Sequence, residues 1–257
     1  MQLIGRRFSV GSTSYAVSHK LSSGGFGTLY VAEPVAPDVG PDLAVKVPNM
    51  KVIEEDEWRR RFEREARIAG NVHHRNVART LGLLSYDDGA LLLVQELIED
   101  ARELLRIPFE RDAEHLSYAL QVLYGLRVVH GTSVDTRAIH RDLSPRNILV
   151  DASGTVKIID FGFAKEDPRT TTMLTVYGVG FGTPGCMAPE QRDDAASVDH
   201  RADLYALGKT IAAVIQSRHP EHVDLDRLSP PWQDIVRRLV EFEPDDRFQN
   251  ADAVIDR

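Results

Sequence analysis

Cysteine is nearly absent from this chain. Cys186 is the single one in 257 residues, so no disulfide can form within it, and a reducing cytosol suits it. Long apolar runs are also missing. The stretches at 90–94 and 211–215 are core-sized, far short of the roughly 20 residues of a membrane span. The N-terminus lacks the apolar segment of a signal peptide, so a cytoplasmic location is expected, with no membrane segment in these residues. There is no internal repeat and no low-complexity tract. A basic excess is lacking too. The net charge of −8 argues against nucleic acid as the default partner, leaving room only for a local basic patch. What remains is an ordinary globular composition, 42% hydrophobic and 27% charged, long enough to bury a core as one large domain or two small lobes.

The most informative stretch is His140-Arg141-Asp142-Leu143-Ser144-Pro145-Arg146-Asn147, which runs into the apolar, β-prone Ile148-Leu149-Val150. A turn follows at Asp151-Ala152-Ser153-Gly154, then a second apolar run, Val156-Lys157-Ile158-Ile159, which delivers Asp160-Phe161-Gly162. Two short strands joined by a tight turn bring Asn147 and Asp160 to the same end of a hairpin. An Asn and an Asp held together are hard oxygen ligands suited to Mg²⁺. Asp142 would sit beside that metal, able to take a proton or orient a hydroxyl. Taken one at a time, an Asp or Asn near a turn is more often a turn residue. The ordered set carries the argument.

These motifs resemble the protein-kinase signature, H-R-D-L-x-x-x-N followed by D-F-G. The chain is identified as similar to Hanks-type (eukaryotic-like) serine/threonine kinases, bacterial members most of all. The resemblance implies an α+β, two-lobed protein-kinase fold. Residues 1–96 would form a small antiparallel β-sheet N-lobe with one key helix. Residues 97–257 would form a mainly helical C-lobe, reduced after the Asp203 helix.

The remaining residues can be set against that expectation. Alternation at 8–17 and 17–31 predicts two antiparallel strands. Between them lies Leu21-Ser22-Ser23-Gly24-Gly25-Phe26-Gly27-Thr28-Leu29. Glycines let a backbone approach phosphate oxygens, although a Gly-rich hairpin turn is the plainer reading. Against the family's G-x-G-x-x-G, Ser22 stands at the first glycine, and Gly24 and Gly27 match the others. The next strand is Leu43-Ala44-Val45-Lys46-Val47. Lys46 is either a snorkelling strand-edge lysine or, as the resemblance implies, the anchor of the ATP α- and β-phosphates. A helix is expected over 54–69, with Trp58, Phe62, Ala66 and Ala69 as its buried stripe. Glu65, with Glu63 as rival, would hold Lys46. Ala69 is small where the family packs a larger residue.

Strands at 80–85 and 91–97, joined by a turn at 86–89, resemble the approach to the family's hinge, with Gln95 as gatekeeper. The backbone of Glu96 and Ile98 would then bond adenine, and Leu21, Leu29, Ala44 and Leu149 would enclose the ring. From about Ile98 the pattern turns helical, with a core stripe of Leu116, Leu120, Leu123 and Leu126. His130 ends that helix, and 131–137 reads as a surface insertion.

The resemblance assigns Asp142 to the acceptor hydroxyl, Asn147 and Asp160 to Mg²⁺ (Mn²⁺ also suits such ligands) and Lys46 with Glu65 to ATP. Ser144 replaces the lysine that most serine/threonine kinases carry two residues after the catalytic Asp. Arg146 stands where tyrosine kinases have a substituting arginine, and it is the candidate to supply that charge. The segment Gly182-Thr183-Pro184-Gly185-Cys186-Met187-Ala188-Pro189-Glu190 resembles the family's G-T-P-x-Y-M-A-P-E closure. Thr183 points to Ser/Thr acceptors, and Cys186 reads as packing. Thr170, Thr171, Thr172 and Thr175 are candidate phosphorylation sites, with Arg141 as a clamp. Asp203 would bond the catalytic-loop backbone. Arg247 would pair with Glu190. The short interval after Asp203 leaves little room for the family's docking helix.

The expected function is transfer of the γ-phosphoryl group of ATP to protein Ser/Thr hydroxyls. Autophosphorylation through self-association would accompany it. Two other readings stay open. One is a nucleotide-binding pseudokinase or interaction module, motivated by Ser22, Ser144, Ala69 and the missing helix. The other is a small-molecule phosphotransferase, which typically lacks the Thr183 to Glu190 segment and the Glu190–Arg247 pairing.

Overall fold

The computed structural model describes residues 3–24, 27–37, 39–48, 60, 63, 66–67, 69–85, 91–109, 111–131, 138–160, 183–193 and 198–257. The chain divides into two compact units, Met1–His73 with Ala78–Glu99, and His74–Val77 with Asp100–Arg257. In sequence the first unit runs to Glu99 and the second resumes at Asp100. Residues 74–77 leave the first unit because backbone hydrogen bonding ties them to the second. Ile158 N–H donates to the Asn76 carbonyl at 2.9 Å, and Val77 forms a parallel bridge with Ile158.

The first unit is one antiparallel sheet of β1 (Arg7–Val10), β2 (Thr13–Gly24), β3 (Gly27–Pro34), β4 (Leu43–Pro48), β5 (Thr80–Ser85) and β6 (Leu91–Glu96), in the order β1-β2-β3-β4-β6-β5. The expectation of two strands meeting at Val17 fails. The chain turns at Gly11, whose φ of 58° suits glycine, and Val17 lies within β2, opposite Ala32. Alternation continues on both sides of that two-residue turn, so periodicity cannot locate it.

Side chains alternate across the sheet. Leu43, Val45 and Val47 join Phe8, Tyr15, Val17, Ala32, Leu92 and Val94 in the core on one face, where the Phe8 and Tyr15 rings stack 5.7 Å apart. Ala44 and Lys46 therefore occupy the other face. There Leu91 and Leu93 pack with Leu83 and Ala66. Arg60, Glu63, Ala66, Arg67 and Ala69 have helical backbone, within the span expected to be a helix, and Gly70 extends it by one residue.

The second unit contains α1 (Asp112–His130), α2 (Pro189–Asp193), α3 (Arg201–Gln216), α4 (Pro230–Leu239) and α5 (Ala251–Ile255). A small sheet, β7 (Arg102–Glu103), β8 (Ile148–Val150) and β9 (Val156–Ile158), completes it in that order. The helical pattern expected from Ile98 starts later. Pro108 disfavours helix at Ile107, which is extended, so a short 3₁₀ turn at Leu104–Arg106 ends there and α1 begins at Asp112. The buried stripe of α1 is Ala119, Val122, Leu123, Leu126 and Val129. Leu116 is instead 49% exposed, because burial follows the face turned to α3 and the hairpin rather than the choice of leucines.

Helix α3 is the most buried helix among the described residues, with Leu204, Leu207, Ala212 and Ala213 at 1% exposure or less. Gly208 permits its close packing on α4, since a Cβ there would lie 2.7 Å from Leu239 Cβ. Between α3 and α4 stand only 3₁₀ turns, Pro220–His222 and Leu225–Arg227, where the sequence left little room for a docking helix. No helix among the described residues is long and apolar enough to cross a membrane.

Arg247 fastens the far end of this unit. It is 1% exposed, and its N–H groups are matched to acceptors one for one. Nη1 and Nη2 reach Glu190 Oε1 and Oε2 at 2.7 Å each. The carbonyls of Arg201, Phe242 and Glu241 take the rest at 3.2, 2.9 and 2.8 Å. Truncating one partner of such a buried pair leaves an uncompensated charge. Arg247→Ala should therefore lower unfolding stability by about 3–5 kcal/mol, read as a shift of the urea midpoint.

Candidate active site

The β8–β9 hairpin positions the site. Ile148 pairs with Ile158 and Val150 with Val156, and these four are buried. Its turn is tied by Asp151 Oδ1, which accepts from Ser153 N–H and Thr155 N–H at 2.9 Å each. At the open end the Ile159 N–H donates to the Asn147 carbonyl at 3.0 Å, which sets Asn147 and Asp160 side by side along the chain ends. Asp160 turns the backbone there with φ 64°. Asn76, which sequence reasoning passed over, braces the hairpin from beneath. Its Nδ2 donates to the Val156 carbonyl at 2.9 Å and to Gln121 Oε1 at 3.0 Å, and it is 1% exposed.

The loop before the hairpin is held by one buried carboxylate. Asp203, 1% exposed, accepts His140 N–H and His130 Nε2–H on Oδ2 at 2.8 and 2.9 Å, and Arg141 N–H on Oδ1 at 2.8 Å. Burial works to raise its pKa, but the interactions with His130 and His140 outweigh that and hold the carboxyl below the usual range. These bonds stabilise a strained residue: Arg141 has φ 67°, a left-handed conformation costing roughly 1–2 kcal/mol for a side chain with a Cβ. His140 is fully buried and joins loop to hairpin. Its Nδ1 accepts from Asp142 N–H at 3.3 Å, which assigns the ring proton to Nε2 and makes that atom the donor to the Ile159 carbonyl at 2.9 Å.

Asp142 stands at the centre. Oδ1 accepts from Thr183 Oγ1 at 3.1 Å. Oδ2 and the backbone carbonyl accept from Asn147 Nδ2 at 3.1 and 2.7 Å. Burial pushes the Asp142 carboxyl above the ordinary aspartate range, against the pull of the Thr183 and Asn147 hydrogen bonds. Because both partners of the Asn147 amide are acceptors, its NH₂ is committed to Asp142 and its Oδ1 is left as an oxygen ligand. Asn147 Oδ1 and the Asp160 carboxylate therefore fit a hard cation of the Mg²⁺ type, which takes one or two protein oxygens and completes its shell with phosphate and water. Among the described residues no cluster of three or more His, Cys, Asp or Glu offers a rival metal site.

Ser144, where the family carries a lysine, is fully buried, and its hydroxyl has no hydrogen-bond partner among the described residues. Arg146, on the short 3₁₀ turn Pro145–Asn147, is exposed and engages no such partner. Cys186 is 2% exposed with Sγ 4.0 Å from Thr210 Oγ1, and burial pushes its thiol up to about 12. Gln191, not singled out in the sequence, donates to the Arg141 carbonyl at 3.0 Å. Nothing in its local pattern marked it.

In the first unit, strand register aligns Ser22, Leu29 and Lys46 in one row across β2, β3 and β4, with Gly24 opposite Gly27 closing the hairpin. Ala44 pairs with Gln95, whose Nε2 donates to Thr80 Oγ1 at 3.2 Å. Glu96 N–H is taken by the Arg79 carbonyl at 2.9 Å. Leu21 is 51% exposed; Ile98 is half-buried. In the second unit, Leu149 is half-buried on the face of β8 opposite Ile148 and Val150. Glu65, Trp58, Phe62, Phe161, the activation-segment threonines, the turn at 86–89 and residues 132–137 of the insertion lie outside the described residues. Glu63, the rival to Glu65, is exposed.

An acid hydrogen-bonded to an amide, with a second acid at the neighbouring strand end, fits a phosphoryl-transfer site of the kinase class. Comparison with known proteins narrows this. The family model described as protein kinase domain matches residues 15–255, and the chain belongs to that family. It is 29% identical over 270 residues to the serine/threonine-protein kinase pkn3 of Myxococcus xanthus, covering 93% of this chain and 48% of that one. It is 28% identical over 275 residues to the tyrosine-protein kinase MasK of the same species, covering 94% and 42%. The chain thus spans about half or less of the length of these curated relatives. The kinase domain of Mycobacterium tuberculosis PknI shares the fold, with a TM-score of 0.73 at 24% identity over 100% of this chain and 97% of that one.

Asp203→Ala should strand two backbone donors and His130 Nε2–H, lowering stability by about 3 kcal/mol or more. Because the folded Asp203 pKa is depressed, its contribution is complete above the ordinary aspartate range and fades as the pH falls through the folded value. The stability gap between wild type and variant should accordingly shrink in acid, measured by denaturant unfolding at several pH values. The protonated, buried Cys186 should resist iodoacetamide at pH 8 in the native protein and react once the chain is unfolded, as followed by intact mass.

Proposed function

We propose that this chain is the catalytic domain of a Mg-ATP-dependent protein serine/threonine kinase. The observation that carries the reading is the Asp142 carboxylate, half-buried and bonded by both Thr183 and Asn147. A carboxylate held there can accept the proton of an acceptor hydroxyl as that oxygen attacks the γ-phosphorus, and its raised pKa makes it a better acceptor than a free aspartate. Lys46, with Glu65, anchors the α- and β-phosphates. The glycines at 24 and 27 with Ser22 cover them. Leu21, Leu29, Ala44 and Leu149 enclose the adenine, and the Glu96 carbonyl and Ile98 N–H bond it. Asn147 Oδ1 and Asp160 would hold Mg²⁺, which when bound neutralises phosphate charge. Arg146 supplies the cation that Ser144 cannot.

Relatives of both acceptor types exist, so similarity by itself does not choose between hydroxyls. Support for Ser/Thr comes from Thr183, which presents its own hydroxyl to Asp142. The substrate is a protein, and autophosphorylation of the activation segment by a second copy fits the candidate threonines. A cytoplasmic location is supported by the single, buried cysteine.

A second reading, a nucleotide-binding pseudokinase, is favoured by one observation, the buried Ser144 in place of lysine. Purified protein with Mg²⁺ and labelled ATP separates the two. Phosphoserine or phosphothreonine should form, with Asp142→Asn and Lys46→Ala each reducing kcat at least about 100-fold and Arg146→Ala roughly 10-fold. No label in the wild type, despite a rise in melting temperature with Mg-ATP, would replace the kinase reading by the pseudokinase one.

A further inference from the structure

We propose that Gln191 is a positioning residue that orients Asp142 through the peptide joining Arg141 to it. The inference rests on the phosphoryl-transfer reading given above.

The peptide between Arg141 and Asp142 is planar, so fixing its oxygen and its N–H fixes the plane from which the Asp142 side chain departs. Gln191 Nε2 donates to that oxygen at 3.0 Å. His140 Nδ1 accepts from that N–H at 3.3 Å, a long bond. Gln191 thus makes the shorter of the two contacts. It is itself set from the other side: its Oε1 accepts from Ala188 N–H at 3.0 Å. One side-chain amide, with its donor and acceptor ends both used, therefore spans from the 183–191 segment to the catalytic loop.

The position matters because Arg141 is held at φ 67°. Asp203 secures the N–H on the near side of that residue at 2.8 Å. On the far side Gln191 makes the 3.0 Å bond, beside the longer one to His140. Without Gln191 the left-handed residue can relax by rotating its following peptide, and this moves the base. Gln191 is itself anchored. It lies one residue after Glu190, which Arg247 grips in two places at 2.7 Å. The Arg247–Glu190 pair holds α2, and Gln191 carries that rigidity to the peptide before the base.

Two substitutions divide the roles. Gln191→Ala removes both bonds. Gln191→Glu keeps an acceptor for Ala188 N–H but sets a carboxylate oxygen against the Arg141 carbonyl. The full chain would be assayed with a protein substrate for kcat and for KM of ATP. Hydrogen exchange of the 140–143 and 183–191 amides would be followed in parallel, with the melting temperature as control. The expected result is a roughly 10-fold fall in kcat in both variants, with KM for ATP within about twofold. Exchange should quicken at 140–143 in both and at 183–191 in Gln191→Ala, with the melting temperature close to wild type. Wild-type kcat in both variants overturns the proposal, as does unchanged exchange at 140–143. If the wild type itself transfers no phosphate, the kinase reading fails separately. The exchange at 140–143 then decides alone whether Gln191 holds this peptide.

Discussion

A single buried carboxylate sets the geometry of the second unit. Asp203 is nearly inaccessible to water, and a charge in that position is tolerable only when its lone pairs are met. They are met by two consecutive backbone N–H groups and a histidine ring. Both N–H groups lie just before the left-handed backbone at Arg141, and Asp203 holds them there. The strain and the burial therefore support each other. The loop at 140–147 is shaped by α3, a helix well enclosed in the core.

From that point rigidity passes outward through hydrogen bonds rather than through apolar packing. His140 links the loop to the hairpin, so that Asp142 and the Asn147–Asp160 end are referenced to the same ring. Asn147 then commits its NH₂ to Asp142. The 183–193 segment is fastened independently by Arg247, whose donors are all used. Its close approach to the 3₁₀ turn at Pro220–His222 requires Gly185, where φ is 85° and a Cβ would meet Glu221 N at 2.5 Å. The 183–193 segment packs directly against this turn.

Much of the site could be read from residue order, because phosphoryl transfer needs hard ligands and a base at fixed offsets around a hairpin. His140 through Asn147, Asp160, Thr183, Glu190, Asp203 and Arg247 were all legible in that way. Gln191 and Asn76 were not. Their partners are carbonyls and amides contributed by distant segments, and a carbonyl has no sequence signature. Leu116 misled for a related reason: in a leucine-rich helix, spacing allows more than one stripe, and only the neighbours choose among them. The strand break at Gly11 was hidden because alternation looks the same on both sides of a two-residue turn.

Short-range chemistry, then, was written into the order of residues: alternation for β4, with Lys46 and Ala44 opposite its core side chains, the tight turn at Asp151–Gly154, and the acid–amide–acid set around it. These depend on neighbours a few positions apart, and local sterics decide them. The ionisation of Asp203, the left-handed turn at Arg141 and the burial of Ser144 belong to the tertiary structure. Each is the outcome of desolvation and hydrogen bonding with groups tens of residues away, and no local pattern encodes that balance.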